Sequence, residues 1–236
     1  METGSLALYS VNIETGVYKK MLGGIAAYEF ADAGDKIFFV SSSVDKPAEI
    51  FQYDKNTLEV KQITGFNDEL CEEIDFRPAE QVWIEGAAGK KVHTFIVKPH
   101  NFEKGKKYPL ILNVHGGPQY QWMNAFRGDW QVYPAKGYVV AFPNPHGSTG
   151  YGQDYTAAIS GDWGGKVFDD LMKVTDYLAS LDYVDSTRMG AMGWSFGGYM
   201  MNYFQAKTKR FKCLASMMGI YDLRSFFGIT EEQWFP

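Results

Sequence analysis

Basic residues are not in excess: 23 Lys+Arg stand against 28 Asp+Glu, a net charge of −5. Without surplus cations to neutralise phosphates, nucleic-acid binding is disfavoured. Only two cysteines occur, Cys71 and Cys213, far apart and outside any metal-type spacing. They exclude a disulfide scaffold and leave the redox compartment undecided. No apolar run approaches about 18 residues, so no helical membrane span is expected. Residues 1–10 have neither a basic n-region nor a long apolar stretch, so no secretory signal is legible, and a cytoplasmic, periplasmic or secreted location stays open. Histidine is scarce: His93, His100, His115 and His146 are the four. None pairs with Cys, Asp or another His at helix or hairpin spacing, so no metal is expected. Residues 161–166 (GDWGGK) lack P-loop spacing and no dinucleotide fingerprint follows a strand, so no cofactor is expected either.

What is present is ordinary for a globular chain: 45% hydrophobic and 22% charged residues, with 16% aromatics and 25 glycines that suit strands and turns. Two textures meet near residue 75. Before it, short apolar stretches alternate with turn clusters: residues 5–11, 17–22, 26–30, 36–40, 49–53 and 58–63, punctuated by Glu14-Thr15-Gly16, Ala33-Gly34-Asp35 and Asp54-Lys55-Asn56. Hairpin punctuation at about ten-residue spacing reads as antiparallel all-β, enough for one or two blades of a propeller.

After residue 75, residues 92–97 (VHTFIV) still alternate. The runs 110–114 (LILNV), 138–142 (YVVAF) and 189–192 (MGAM) are nearly continuous and apolar, as in parallel strands covered on both faces. Between the last two, Val167, Leu171, Val174, Leu178 and Leu181 step by a helical period, which predicts a helix over 166–181. Asp169 and Asp170 fall in its first turn, where the helix dipole favours carboxylates. Alternating strand and helix predicts an α/β sheet.

The sharpest chemical signal is Gly193-Trp194-Ser195-Phe196-Gly197-Gly198. Gly-x-Ser-x-Gly is a weak pattern alone, but here an apolar run precedes it and residues 199–207 continue with helical character. Strand, tight turn and helix are what a nucleophile elbow requires. Side chains at Gly193 or Gly197 would collide with the adjoining strand and helix, and Ser195 would be held out at the helix start. The second signal is His115-Gly116-Gly117-Pro118, directly after the run 110–114. Glycines there let the backbone approach a substrate oxygen, so one oxyanion donor can come from this loop and the other from the residue after the nucleophile, Phe196. His115 itself reads as a structural ring beneath the loop.

Four blocks then carry a resemblance: 108–118 (YPLILNVHGGP), 142–152 (FPNPHGSTGYG), 161–170 (GDWGGKVFDD) and 188–199 (RMGAMGWSFGGY). In order and spacing they resemble the prolyl oligopeptidase family of serine peptidases, in its acylaminoacyl-peptidase and dipeptidyl-peptidase-like branch. Residues 32–70 resemble the last blade of that family's propeller. The resemblance implies an α/β-hydrolase fold, a mostly parallel sheet with helices on both faces, over 76–236. An all-β segment from the end of a β-propeller would occupy 1–75. It implies Ser195 as acylating nucleophile, the backbone N–H groups of Gly117 and Phe196 as oxyanion donors, and Gly116, Gly193 and Gly197 as the loop and elbow glycines. Short peptides would be the substrates, and members of the family often assemble into homo-oligomers. Two departures stand out: His146 occupies a position that usually holds Arg, and Phe196 one that is often Tyr. The first reads as a plain loop histidine, and the second keeps the backbone donor.

A serine hydroxyl needs a base, and the base an orienting carboxylate. All four histidines precede Ser195, whereas this fold orders them Ser, Asp, His. Asp222 follows the next expected strand, 211–217, and is not the triad acid in the family. The expectation is therefore a fragment that lacks the C-terminal part of the hydrolase domain, is inactive by itself, and leaves 211–217 as an unprotected sheet edge. An esterase, or a non-catalytic interaction fragment, remains the alternative at this point.

Overall fold

Short-range turn chemistry builds the first hairpins. In the computed structural model, which describes residues 1–231, β1 (Leu8–Val11) pairs antiparallel with β2 (Tyr18–Leu22). Between them the Asn12 side chain accepts from the amides of Glu14 and Thr15, and Gly16 supplies φ +70°. A four-stranded antiparallel meander follows, in the order β3 (Ala26–Ala33), β4 (Lys36–Ser43), β5 (Lys46–Asp54) and β6 (Val60–Gln62). Ala33 pairs with Lys36, so Gly34-Asp35 is a two-residue loop, with Gly34 at φ +73° as such a loop demands. Ile37, Phe39 and Tyr53 bury one face with Leu8 and Ala27. α1 (Asp68–Glu73) comes next, and Glu49 ties the approach to it by accepting from the amides of Phe66 and Asn67, the Asn67 side chain and the Thr64 hydroxyl.

Contacts group Met1–Ala79 with Met123–Gln131 as one unit, and Glu80–Trp122 with the described residues from Val132 onward as a second. Within the first unit, Gln131 donates to the Val44 carbonyl at 2.8 Å and accepts from the Arg77 amide at 2.8 Å, which anchors the 123–131 segment.

The second unit is a six-stranded sheet in the order β12-β11-β9-β10-β8-β7. Its strands are β7 (Ala79–Glu85), β8 (Lys91–Val97), β9 (Tyr108–Val114), β10 (Val139–Asn144), β11 (Val184–Trp194) and β12 (Cys213–Met217). β9, β10, β11 and β12 run parallel, and β8 is antiparallel to β10. Its helices are α3 (Gln153–Ala157), α4 (Gly165–Ser180), α5 (Phe196–Lys207) and α6 (Leu223–Ile229), while α2 (Asp129–Ala135) has residues in both units. This is the α/β-hydrolase arrangement expected from the sequence.

Three local outcomes differ from expectation. Residues 92–97 alternate in sequence, yet Val92 through Val97 are all buried, because β8 lies inside the sheet between β10 and β7 and is covered on both faces. Asp170 is not a solvated first-turn carboxylate. It lies on the same face of α4 as Val167, Leu171 and Val174 and is fully buried. His146 is not a plain loop residue either: it is buried, stacked on Tyr155 at 4.4 Å, with Nδ1 2.7 Å from the Asp170 carboxylate. A buried carboxylate needs partners, and Asp170 also accepts from the amides of Ala87 and His146, each at 2.7 Å.

Candidate active site

β11 ends at Trp194 and α5 begins at Phe196, so Ser195 is the single residue that reverses the chain between them. It does so at φ +56°, ψ −115°, a conformation that L-residues avoid unless the surroundings impose it. The imposition is visible: the Ser195 amide donates to the Met217 carbonyl of β12 at 2.9 Å, and its carbonyl accepts from the Tyr199 amide of α5 at 2.9 Å. The side chain is half-buried, and it accepts and donates no hydrogen bond among the described residues.

The flanking glycines are required by close approach. A Cβ on Gly193 would lie 2.7 Å from Gly197 Cα, and one on Gly197 would overlap the Val114 carbonyl oxygen and sit 3.0 Å from the His115 oxygen. A Cβ on Gly198 would lie 2.6 Å from Gly219 Cα. Strand β9, helix α5 and the turn after β12 therefore meet backbone to backbone around the serine.

The loop after β9 abuts the same point. A Cβ on Gly116 would fall 2.8 Å from the Trp194 carbonyl oxygen and 3.2 Å from Ser195 Cβ. The next residue, Gly117, has φ +111°, open only to glycine. Across the turn, Phe196 is the first residue of α5, so its N–H has no acceptor inside the helix. Its ring is buried against Trp163 at 5.5 Å, which anchors the helix start from behind. A partly exposed hydroxyl at a helix start, with a glycine loop against it, is an arrangement that can acylate and can stabilise an oxyanion.

The histidines lie elsewhere. His115 is buried beneath the loop, with Nδ1 2.7 Å from the Gly116 carbonyl and Nε2 2.9 Å from the Ser148 hydroxyl. Burial draws its pKa down to about 4, against the smaller upward pull of the Gly116 carbonyl. His93 is stacked on Trp83 at 4.6 Å and bonded to Tyr151 and Gln81, and burial likewise draws it down to about 4. His146 faces Asp170, and the buried Nε2 of His100 has no partner among the described residues. No histidine among the described residues bonds to Ser195. Asp222 caps α6, accepting from the Arg224 amide and the Ser225 hydroxyl, and those bonds hold its carboxyl below the usual range. Among the described residues no group of His, Cys, Asp and Glu could hold a metal.

Sequence reasoning missed the Asp170–His146 pair. The signal was available: residue 170 falls on the apolar stripe of its own helix, three positions after Val167 and four before Val174.

Comparison with known proteins adds four findings. The profile of the prolyl oligopeptidase family matches residues 110–236. A peptidase of Bacillus subtilis named "Uncharacterized peptidase YuxL" is 35% identical over 237 residues, which is 99% of this chain and 36% of that protein. Dipeptidyl-peptidase 5 of Schizosaccharomyces pombe is 40% identical over 161 residues, 66% of this chain and 24% of its own length. Among solved structures, the Pyrococcus horikoshii acylaminoacyl peptidase superposes with a TM-score of 0.89 at 25% identity, over 99% of this chain and 37% of that one. The chain thus spans between about a quarter and just over a third of the length of these relatives.

Proposed function

Since the chain belongs to the prolyl oligopeptidase family, we propose that it carries the nucleophile and the oxyanion donors of a serine peptidase that acts on short peptides. Ser195 Oγ attacks the scissile carbonyl while a base takes its proton. The carbonyl oxygen, now an oxyanion, is met by the amides of Gly117 and Phe196. Collapse returns the proton to the leaving amine, and water then releases the acyl group from Ser195. The observation that carries this reading is Ser195 at φ +56° between β11 and α5, half-buried, with the Gly116 loop against its Cβ.

The base and its orienting carboxylate are proposed to lie outside these 236 residues, since no described histidine bonds to Ser195 and the relatives are about three times as long. The 236-residue chain alone is then inactive. We read residues 1–75 as the end of a propeller, which the four-stranded meander β3 to β6 supports, and 76–236 as the first part of the hydrolase domain. Release of dipeptides or of acylated amino acids is the specificity that the named relatives suggest.

A fluorophosphonate probe tests the reading. The full-length protein should be labelled, with the adduct on the peptide containing Ser195. Ser195→Ala should abolish both labelling and peptide hydrolysis, and the 236-residue chain should not react. Hydrolysis that survives Ser195→Ala would refute the assignment.

A further inference from the structure

The loop that carries Gly117 doubles back on itself. The Tyr120 amide donates to the Pro118 carbonyl at 2.8 Å, which closes a tight turn centred on Gln119, and the Tyr120 carbonyl accepts from the Thr149 amide at 2.9 Å. The turn carries Tyr120 back against the glycine loop: a Cβ placed on Gly117 would lie 3.1 Å from Tyr120 Cβ. Gly116, one residue earlier, is the glycine whose added Cβ would fall 3.2 Å from Ser195 Cβ. Two buried rings then meet the phenol edge to face, His115 at 5.8 Å and Trp122 at 6.2 Å. Tyr120 is thus fixed at its amide, its carbonyl and its ring, yet it is 36% exposed, whereas Trp122 is 6% exposed. A lone exposed aromatic needs no explanation. A rigid one next to the reacting groups has already lost the side-chain freedom that binding would cost, and it keeps an apolar surface open.

We propose that Tyr120 is a specificity-determining residue for peptide hydrolysis: its ring is one wall of the subsite that takes an apolar side chain beside the scissile bond. The inference rests on the assignment of Ser195 and Gly117 to the reacting centre. The contact is apolar and dispersive, so it belongs to the ring rather than to the hydroxyl. It separates substrates without entering the chemistry. A glycine beside the scissile bond leaves the wall bare, and a phenylalanine covers it.

Competition between two peptides in one sample of the full-length protein tests this. Tetrapeptides that differ in a single residue, glycine or phenylalanine, on one side of the cleaved bond are mixed and their products quantified. A second pair varies the residue on the other side. The ratio of the two kcat/KM values does not depend on how much of a variant is folded, since the same active molecules cleave both peptides. Tyr120→Ala, and Tyr120→Gln, which keeps the bulk but not the apolar ring, should each lower the phenylalanine-to-glycine ratio about tenfold on one side of the bond. Tyr120→Phe should keep that ratio within about twofold of the parent protein's. Unaltered ratios on both sides in Tyr120→Ala and Tyr120→Gln would overturn the proposal, since a ring that only supports the loop lowers cleavage of every peptide alike. A tenfold fall in Tyr120→Phe would overturn it too, because the contact would then belong to the hydroxyl. Ser195→Ala is run alongside: if it retains hydrolysis, the underlying assignment fails, whereas its loss with unaltered Tyr120→Ala ratios sinks only the subsite.

Discussion

A single added methyl tests how tightly the backbone closes around Ser195. At Gly197 the new Cβ has backbone atoms of Val114 and His115 in its way, and none of them can swing aside. Gly197→Ala is expected to destabilise by about 3 kcal/mol, the upper end of ordinary overpacking, and to abolish fluorophosphonate labelling. Gly137 gives the contrast. Its φ of +84° strains any other residue, but nothing lies within 4 Å of the added atom. Gly137→Ala should cost about 1 kcal/mol from backbone strain alone and leave labelling intact. Thermal midpoints and labelling of the two full-length variants check both statements. Comparable losses would mean that the elbow relaxes more easily than its contacts suggest.

Elements are joined through polar groups that a periodicity reading treats as surface. In α4, Asp169 is exposed and Asp170 is buried, one position apart. Removing the Asp170 carboxylate strands the amides of Ala87 and His146 and the His146 ring, so Asp170→Ala is expected to cost about 3–5 kcal/mol. Asp169→Ala should stay within about 0.5 kcal/mol. Thermal denaturation of the pair decides, and a small loss at residue 170 would mean that water replaces the carboxylate. The helix itself was legible: the expected span 166–181 and the observed Gly165–Ser180 differ by one residue at each end, because the apolar stripe is set by the period alone. Which side of β8 meets solvent was not legible. Alternation describes one strand, and burial of both its faces depends on the strands and helices that come to lie beside it.

For the whole molecule, two buried neutral histidines link stability to pH. His93 and His115 are drawn down to about 4 by burial, whereas in the unfolded chain they titrate near the ordinary 6.5. Between those values the unfolded chain binds protons that the folded one refuses, so stability is full above about pH 6.5 and falls as the pH drops towards 4. The limit is on the order of 3 kcal/mol for each ring. Between pH 6.5 and 5 ordinary carboxylates contribute little, so the thermal midpoint of the full-length protein should fall through that window. His93→Asn should remove about half of the slope. A flat midpoint over the window would show that the rings protonate in place. At the same scale, β12 forms one edge of the six-stranded sheet, with Cys213, Ala215 and Ser216 exposed, as expected for the strand after the elbow helix.

The chain's own letters determined the elements and their order, the position of the elbow, and its glycines, because helical and strand periods, turn residues and Gly-x-Ser-x-Gly act over a few neighbours. They also determined that His115 lies under the glycine loop, since the two are adjacent in sequence. Tertiary structure alone decided which buried polar groups meet: Asp170 with His146 across 24 positions, and His115 with Ser148 across 33. No local rule pairs such residues. Each is buried only because the sheet brings two loops and a helix together, and a buried polar group takes the partner that the packing places within reach.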